Sequence, residues 1–117
     1  MKIAEIQKLL DAKVLCCEDN LDKEVYSACG CDLMSDVLAF VKDQAVLLTG
    51  LVNPQVVRTA VMMDMVCIVF VRSKSPSEDM LSLAKDNGIV VLGTDKRLYE
   101  ACGMLYSSGL DGKAKMA

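Results

Sequence analysis

Thr49-Gly50, Arg72-Ser73 and Gly93-Thr94-Asp95 each stand directly after a short apolar run and before a helical pattern. Loops in that position present hydroxyls and backbone N–H groups to a small anion. A guanidinium there is set for bidentate contact with a phosphate or carboxylate. Asn53 adds a side chain at the start of the helix that follows Gly50. The candidate ligand contacts are therefore Thr49, Gly50, Asn53, Arg72, Ser73, Gly93, Thr94 and Asp95. A plainer reading stands beside this one. Every helix leaves N–H groups unpaired in its first turn, and Asn53, Ser75, Thr94 and Asp95 are residue types that satisfy them. On that reading the glycines serve turns and Arg72 makes a surface ion pair.

Other chemistry has less support. The chain has no histidine, which removes the commonest general base and the commonest transition-metal ligand. Its six cysteines, Cys16, Cys17, Cys29, Cys31, Cys67 and Cys102, form no C-x-x-C motif, and free thiols are expected. Gly112-Lys113 is followed by Ala114, with Ser107 where a P-loop needs its first glycine. No Gly-x-Ser-x-Gly elbow occurs. Asp32 and Asp36 share a helix face, but carboxylates near a helix start are explained by the dipole, with Asp32 as cap. No catalytic residue and no metal ligand is assigned.

The elements that position these loops follow from periodicity. Ala45–Leu48, Val66–Val71 and Ile89–Leu92 are unbroken apolar runs, as strands buried on both faces require. Helical patterns separate them, and parallel neighbours need such crossovers. Gly50, Asn53 and Pro54 open one helix, over 54–65, and Ser75-Pro-Ser-Glu78 opens the next as a capping box with a proline at its first position. Asn87-Gly88 stops that helix. Thr94 or Asp95 caps a last helix with Leu98, Ala101, Cys102 and Leu105 on one stripe. Upstream, residues 2–11 read as an amphipathic helix, Val14–Cys17 as a strand, Val25–Cys29 as a second strand, and Met34, Val37, Leu38 and Val41 as one face of a helix. The expected fold is α/β, a small three-layer domain over residues 1–110 with a mainly parallel central sheet and flanking helices. Residues 111–117 are expected to form a flexible tail.

The helix over 54–65 is apolar around nearly its whole circumference, through Val56, Val57, Ala60, Val61, Met62, Met63 and Met65; only Arg58, Thr59 and Asp64 are clearly polar past its first turn. One face should meet the sheet. The other should be covered by a second copy across a two-fold axis, through Val57, Val61, Met62 and Met65, or by the N-terminal helix of the same chain.

Hydrophobic residues at 53% against 25% charged exclude disorder, and no apolar stretch reaches the roughly 20 residues of a membrane span. The N-terminus is not a signal peptide, so a cytoplasmic location is expected. A net charge of −3 weighs against nucleic acid as a partner.

Leu33-Met-Ser-Asp-Val-Leu38, Ala45–Leu51 leading into Asn53-Pro54, Val66–Val71 before Ser75-Pro76, and Gly88–Asp95 together resemble the DRTGG domain. The Asp-Arg-Thr-Gly-Gly string itself is absent. The resemblance implies a fold like the N-terminal domain of HPr kinase/phosphorylase. It also implies a regulatory or assembly role, which in CBS-containing pyrophosphatases accompanies adenine-nucleotide sensing and dimer formation. The expected function is thus a non-catalytic, homodimeric regulatory module. It binds a partner protein and a small anionic ligand of the adenine-nucleotide kind, with no cofactor of its own. A thiol-based redox or iron–sulfur accessory is the alternative. A kinase or phosphatase activity has only the family's larger relatives behind it.

Overall fold

The computed structural model describes residues 1–40 and 44–110; the expected tail and Val41 lie outside them. The described chain runs α1 (Ile3–Leu10), β1 (Lys13–Cys16), a 3-10 turn (Glu18–Asn20), β2 (Ser27–Gly30), α2 (Met34–Phe40), β3 (Ala45–Thr49), α3 (Pro54–Met62), β4 (Cys67–Phe70), α4 (Glu78–Asp86), β5 (Val90–Gly93) and α5 (Leu98–Ser107). The five strands form one sheet in the order β1-β5-β4-β3-β2. β2 to β5 are parallel, in chain order, and β1 closes the far edge antiparallel to β5.

Alternation along the strands divides the apolar side chains between two faces. Val46, Leu48, Cys67, Val69, Val71, Val90 and Leu92 point to one face, where Ile3, Ile6 and Leu10 of α1 and Ala101 and Leu105 of α5 cover them. Ala45, Leu47, Ile68, Phe70, Ile89 and Val91 point to the other, under Met34 and Val37 of α2, Val56, Val57 and Ala60 of α3, and Met80 and Ala84 of α4. The result is the α/β domain expected, with three layers. Because both faces are covered, every residue of β3 and β4 is buried, which is why those segments lack alternation in sequence.

Several boundaries differ from the sequence reading, each for a local reason. The second strand starts two residues later and ends one later, at Ser27–Gly30, and the Val25 N–H is taken by the Met1 carbonyl at 2.7 Å. The fourth helix is capped by Ser77, whose hydroxyl accepts from the Met80 N–H at 3.3 Å, so Pro76 precedes the cap and Ser75 takes no part. Arg97, not Thr94 or Asp95, precedes the last helix, and Glu100 accepts from its N–H at 3.4 Å. The third helix ends at Met62 rather than 65, and Asp64 takes a left-handed φ of 53°.

That early stop changes the picture of α3. Val57 is fully buried and Met65 nearly so, both within the chain's own core, so neither can face a second copy. Thr59, one of the few polar residues of this helix, is also buried. The flanks of α3 are covered by α2 and α4 on its own face of the sheet, whereas α1 lies on the opposite face against α5. Of the four interface candidates, Val61 is half-buried and Met62 is 71% exposed.

Candidate functional site

Parallel pairing in step brings the carboxyl ends of β2, β3, β4 and β5 to one edge of the sheet: Gly30 pairs with Leu48, Thr49 with Phe70, and Phe70 with Gly93. The antiparallel β1 begins at the same edge, with Lys13 opposite Gly93. All the loop residues singled out from sequence therefore share one rim. They divide into two groups.

The first group surrounds Asp32, in the link between β2 and α2. Asp32 does not cap α2; the N–H groups of Asp36 and Val37 go to the Leu33 carbonyl instead. Its Oδ1 accepts from the Thr49 hydroxyl at 2.8 Å and from the Gly50 N–H at 2.9 Å. Its Oδ2 lies 3.9 Å from Arg72 Nη2, with both side chains 49% exposed. Partial burial alone would push the Asp32 carboxyl up. The Gly50 N–H, the Thr49 hydroxyl, the Arg72 guanidinium and the Leu51 N–H outweigh it and hold the group below its ordinary value.

Arg72 lies across Gly50 so closely that a Cβ there would overlap the guanidinium, which gives this glycine a steric role. Both Arg72 and Ser73 have φ of 58°, two consecutive non-glycine residues in the left-handed region. Their N–H groups are fixed across the rim: Arg72 donates to the Lys96 carbonyl at 2.8 Å and Ser73 to the Thr94 carbonyl at 3.0 Å. The strained turn is thus held by the neighbouring loop, and it sets the direction in which the guanidinium leaves the sheet.

The second group lines a groove of about 500 Å³ between the ends of β4 and β5 and the start of β1. The chain leaves β4 toward the α4 face and β5 toward the α5 face, and a cleft opens where such connections diverge. Ser73, Gly93, Thr94 and Asp95 are here, with Asp11, Lys13, Lys74 and Ser75. Two lysines against two aspartates leave the groove without a preferred sign. Thr94 is buried and donates to the Leu10 carbonyl at 2.7 Å, which ties α1 to the rim. Gly93 packs beside Leu15, whose Cδ1 would be 3.3 Å from an added Cβ. Asn53 caps α3, its Oδ1 accepting from the Gln55 N–H at 2.8 Å, as the plainer reading has it.

Elsewhere, a cavity of about 680 Å³ beside β1 and α4 is lined by Glu18, Asp19 and Glu78 against the lone cation Lys85, a poor setting for an anion. Cys16, Cys29, Cys67 and Cys102 are shifted away from the low-pKa thiol that redox chemistry favours. Burial, followed by the neighbouring Cys17, raises Cys16 to about 11. Burial likewise pushes Cys29, Cys67 and Cys102 up, Cys29 also feeling Cys31 and Cys102. Among the described residues no group of three or more His, Cys, Asp or Glu side chains could hold a metal ion. No helix among them is long and apolar enough to cross a membrane.

Asp32 is the residue that sequence reasoning misplaced. Its position before a helix pointed to a cap, and no local signal marks its actual partners, Thr49, Gly50 and Arg72, which are distant in sequence.

Comparison with known proteins bears on the whole domain. No protein of curated function matches the chain in sequence. A crystal structure of the CBS and DRTGG domains of the regulatory region of Clostridium perfringens pyrophosphatase, complexed with the activator diadenosine tetraphosphate, superposes with a TM-score of 0.72 at 16% identity. The superposition covers 92% of this chain and 46% of that one, so this chain spans about half of its length. At that identity the likeness shows the fold. The model of the DRTGG domain matches residues 5–108, nearly the full length, and the chain therefore belongs to the DRTGG domain family.

Proposed function

We propose that this domain is a regulatory module without catalysis of its own, which binds a small phosphate-bearing ligand at the rim and passes the event to a partner. The observation that carries the reading is Arg72. Its guanidinium is half-exposed, stands beside the Thr49 hydroxyl and the Gly50 N–H, and is aimed by a strained turn that the fold holds in place. Such a set of donors suits a phosphoryl group. The pyrophosphatase regulatory region, which joins CBS domains to a domain of this fold, was solved with diadenosine tetraphosphate, and this supports an adenine nucleotide as the ligand class.

Regulation requires that the ligand bind two arrangements unequally. We place the second arrangement in a homodimer or a complex with a partner protein, with Met62 and Val61 at the end of α3 as the contact this chain has left exposed or half-exposed. Calorimetric titration with AMP, ATP and diadenosine tetraphosphate, paired with thermal unfolding, tests the ligand. Heat and a raised melting temperature are expected with at least one of them, both lost in Arg72→Ala. Absence of heat and of any shift with all three removes the reading. Sedimentation of the chain and of Met62→Glu tests the assembly. A dimer that Met62→Glu dissociates supports it, and a monomer at all concentrations overturns it.

A further inference from the structure

We propose that Asp32 is an internal stand-in for the anionic ligand: its carboxylate occupies the Thr49–Gly50–Arg72 donor set, and a phosphate-bearing ligand enters by displacing it. This rests on the reading of the rim given above. The two carboxylate oxygens stand where two oxygens of a phosphoryl group would. Oδ1 takes the Thr49 hydroxyl at 2.8 Å and the Gly50 N–H at 2.9 Å, and Oδ2 faces Arg72.

Three features make the carboxylate displaceable. Asp32 and Arg72 are each 49% exposed, so an incoming anion reaches them without opening the core. Their separation of 3.9 Å exceeds the roughly 2.7–2.9 Å of a committed charge-assisted hydrogen bond, so the guanidinium keeps donors for another acceptor. The first turn of α2 is closed by the Leu33 carbonyl, so its hydrogen bonds survive the departure of Asp32. The lowered pKa of Asp32 agrees, because it reports that this donor set favours a full negative charge.

Displacement has a mechanical result. Asp32 lies in the link between the edge strand β2 and α2, so its release frees that link beyond Cys31, whose N–H still donates to the Leu48 carbonyl of β3 at 3.0 Å. α2 carries the exposed Leu38 and is preceded by the exposed Leu33. A ligand at Arg72 would thereby alter an apolar surface through one side chain. It would also bind more weakly than its contacts allow, because the competent state is only a fraction of the population.

Titration with inorganic pyrophosphate, followed through the amide resonances of Thr49 and Gly50, tests this. The unaltered chain should bind weakly, Asp32→Ala about tenfold or more tightly, and Asp32→Asn in between, since its amide oxygen still accepts from Thr49 and Gly50. Asp36→Asn, which removes the same charge nearby, should change affinity by less than about twofold, the screened long-range share alone. Adding Arg72→Ala to Asp32→Ala should abolish binding. Equal gains in the Asp32 and Asp36 variants, or no gain in Asp32→Ala, overturn the stand-in while leaving the ligand site intact. No amide response in any variant overturns the ligand site and the stand-in together.

Discussion

Thr49, the last residue of β3, and Thr94, the first residue past β5, make the same small turn and differ in what their hydroxyls face. Each is buried, and each accepts the N–H two residues on, Leu51 at 3.1 Å and Lys96 at 3.3 Å. Thr94 gives its proton to the Leu10 carbonyl, a backbone acceptor that has no charge to lose and cannot leave. Thr49 gives its proton to Asp32, a half-exposed carboxylate that can be neutralised or displaced. One end of the rim is therefore fastened and the other is adjustable. The same local chemistry becomes structural or functional according to what the fold places opposite it.

The largest test of that contrast is Thr94→Val. It strands the buried Leu10 carbonyl, so a loss of about 1–3 kcal/mol is expected in urea unfolding. Thr49→Val should cost less, about 1 kcal/mol, because Asp32 can turn to water; equal losses would erase the distinction. Ser73→Gly comes next. Relief of a left-handed φ is worth about 1–2 kcal/mol and is partly offset by the greater freedom of glycine when unfolded, so a net gain of under about 1 kcal/mol is expected.

Acid sharpens the comparison further. The folded Asp32 carboxyl lies below its ordinary 3.8, so the unfolded chain takes up the proton first as pH falls. Its contribution is complete above 3.8 and fades as pH drops from there through the folded value. A difference between the chain and Asp32→Asn should therefore shrink in acid unfolding curves, whereas the deficit of Thr94→Val should not depend on Asp32 at all. Gly50→Ala should have the smallest effect on stability, within about 0.5 kcal/mol, because the end of Arg72 can swing aside. The visible sign would be a rise in the Asp32 pKa as the guanidinium withdraws; an unchanged value would mean that Arg72 contributes nothing there.

The core strands were legible because a strand covered on both faces is the element that demands continuous hydrophobicity over stretches as short as Ala45–Leu48, Val66–Val71 and Ile89–Leu92, and their parallel order followed from the helices between them. The rim followed too, since parallel strands in step must end together. Less could be read where a residue's partner is distant in sequence. Asp32 reaches Thr49, Gly50 and Arg72 only after two crossovers have been made. α3 looked apolar all round because sequence does not reveal that a single helix can have neighbours on both flanks, and its expected contacts Val57 and Met65 were absorbed by the chain's own sheet. The motif puts the capping box at Ser75, whereas Ser77 is the residue whose hydroxyl accepts from the Met80 N–H, because the chain enters the helix two residues later than the motif implies.

The antiparallel edge strand carries a consequence for how the chain is made. β2 to β5 each pair with a strand adjacent in the chain, so those four strands can assemble as synthesis proceeds. β1 precedes the other four strands in the chain and so leaves the ribosome before them, yet Lys13 must wait for Gly93. Until then Val14 and Leu15 lack the strand they pair with, and the nascent chain carries an unpaired apolar segment while the four parallel strands are made. Chaperone dependence and aggregation of this protein should accordingly track the interval between the birth of the first strand and the arrival of the last.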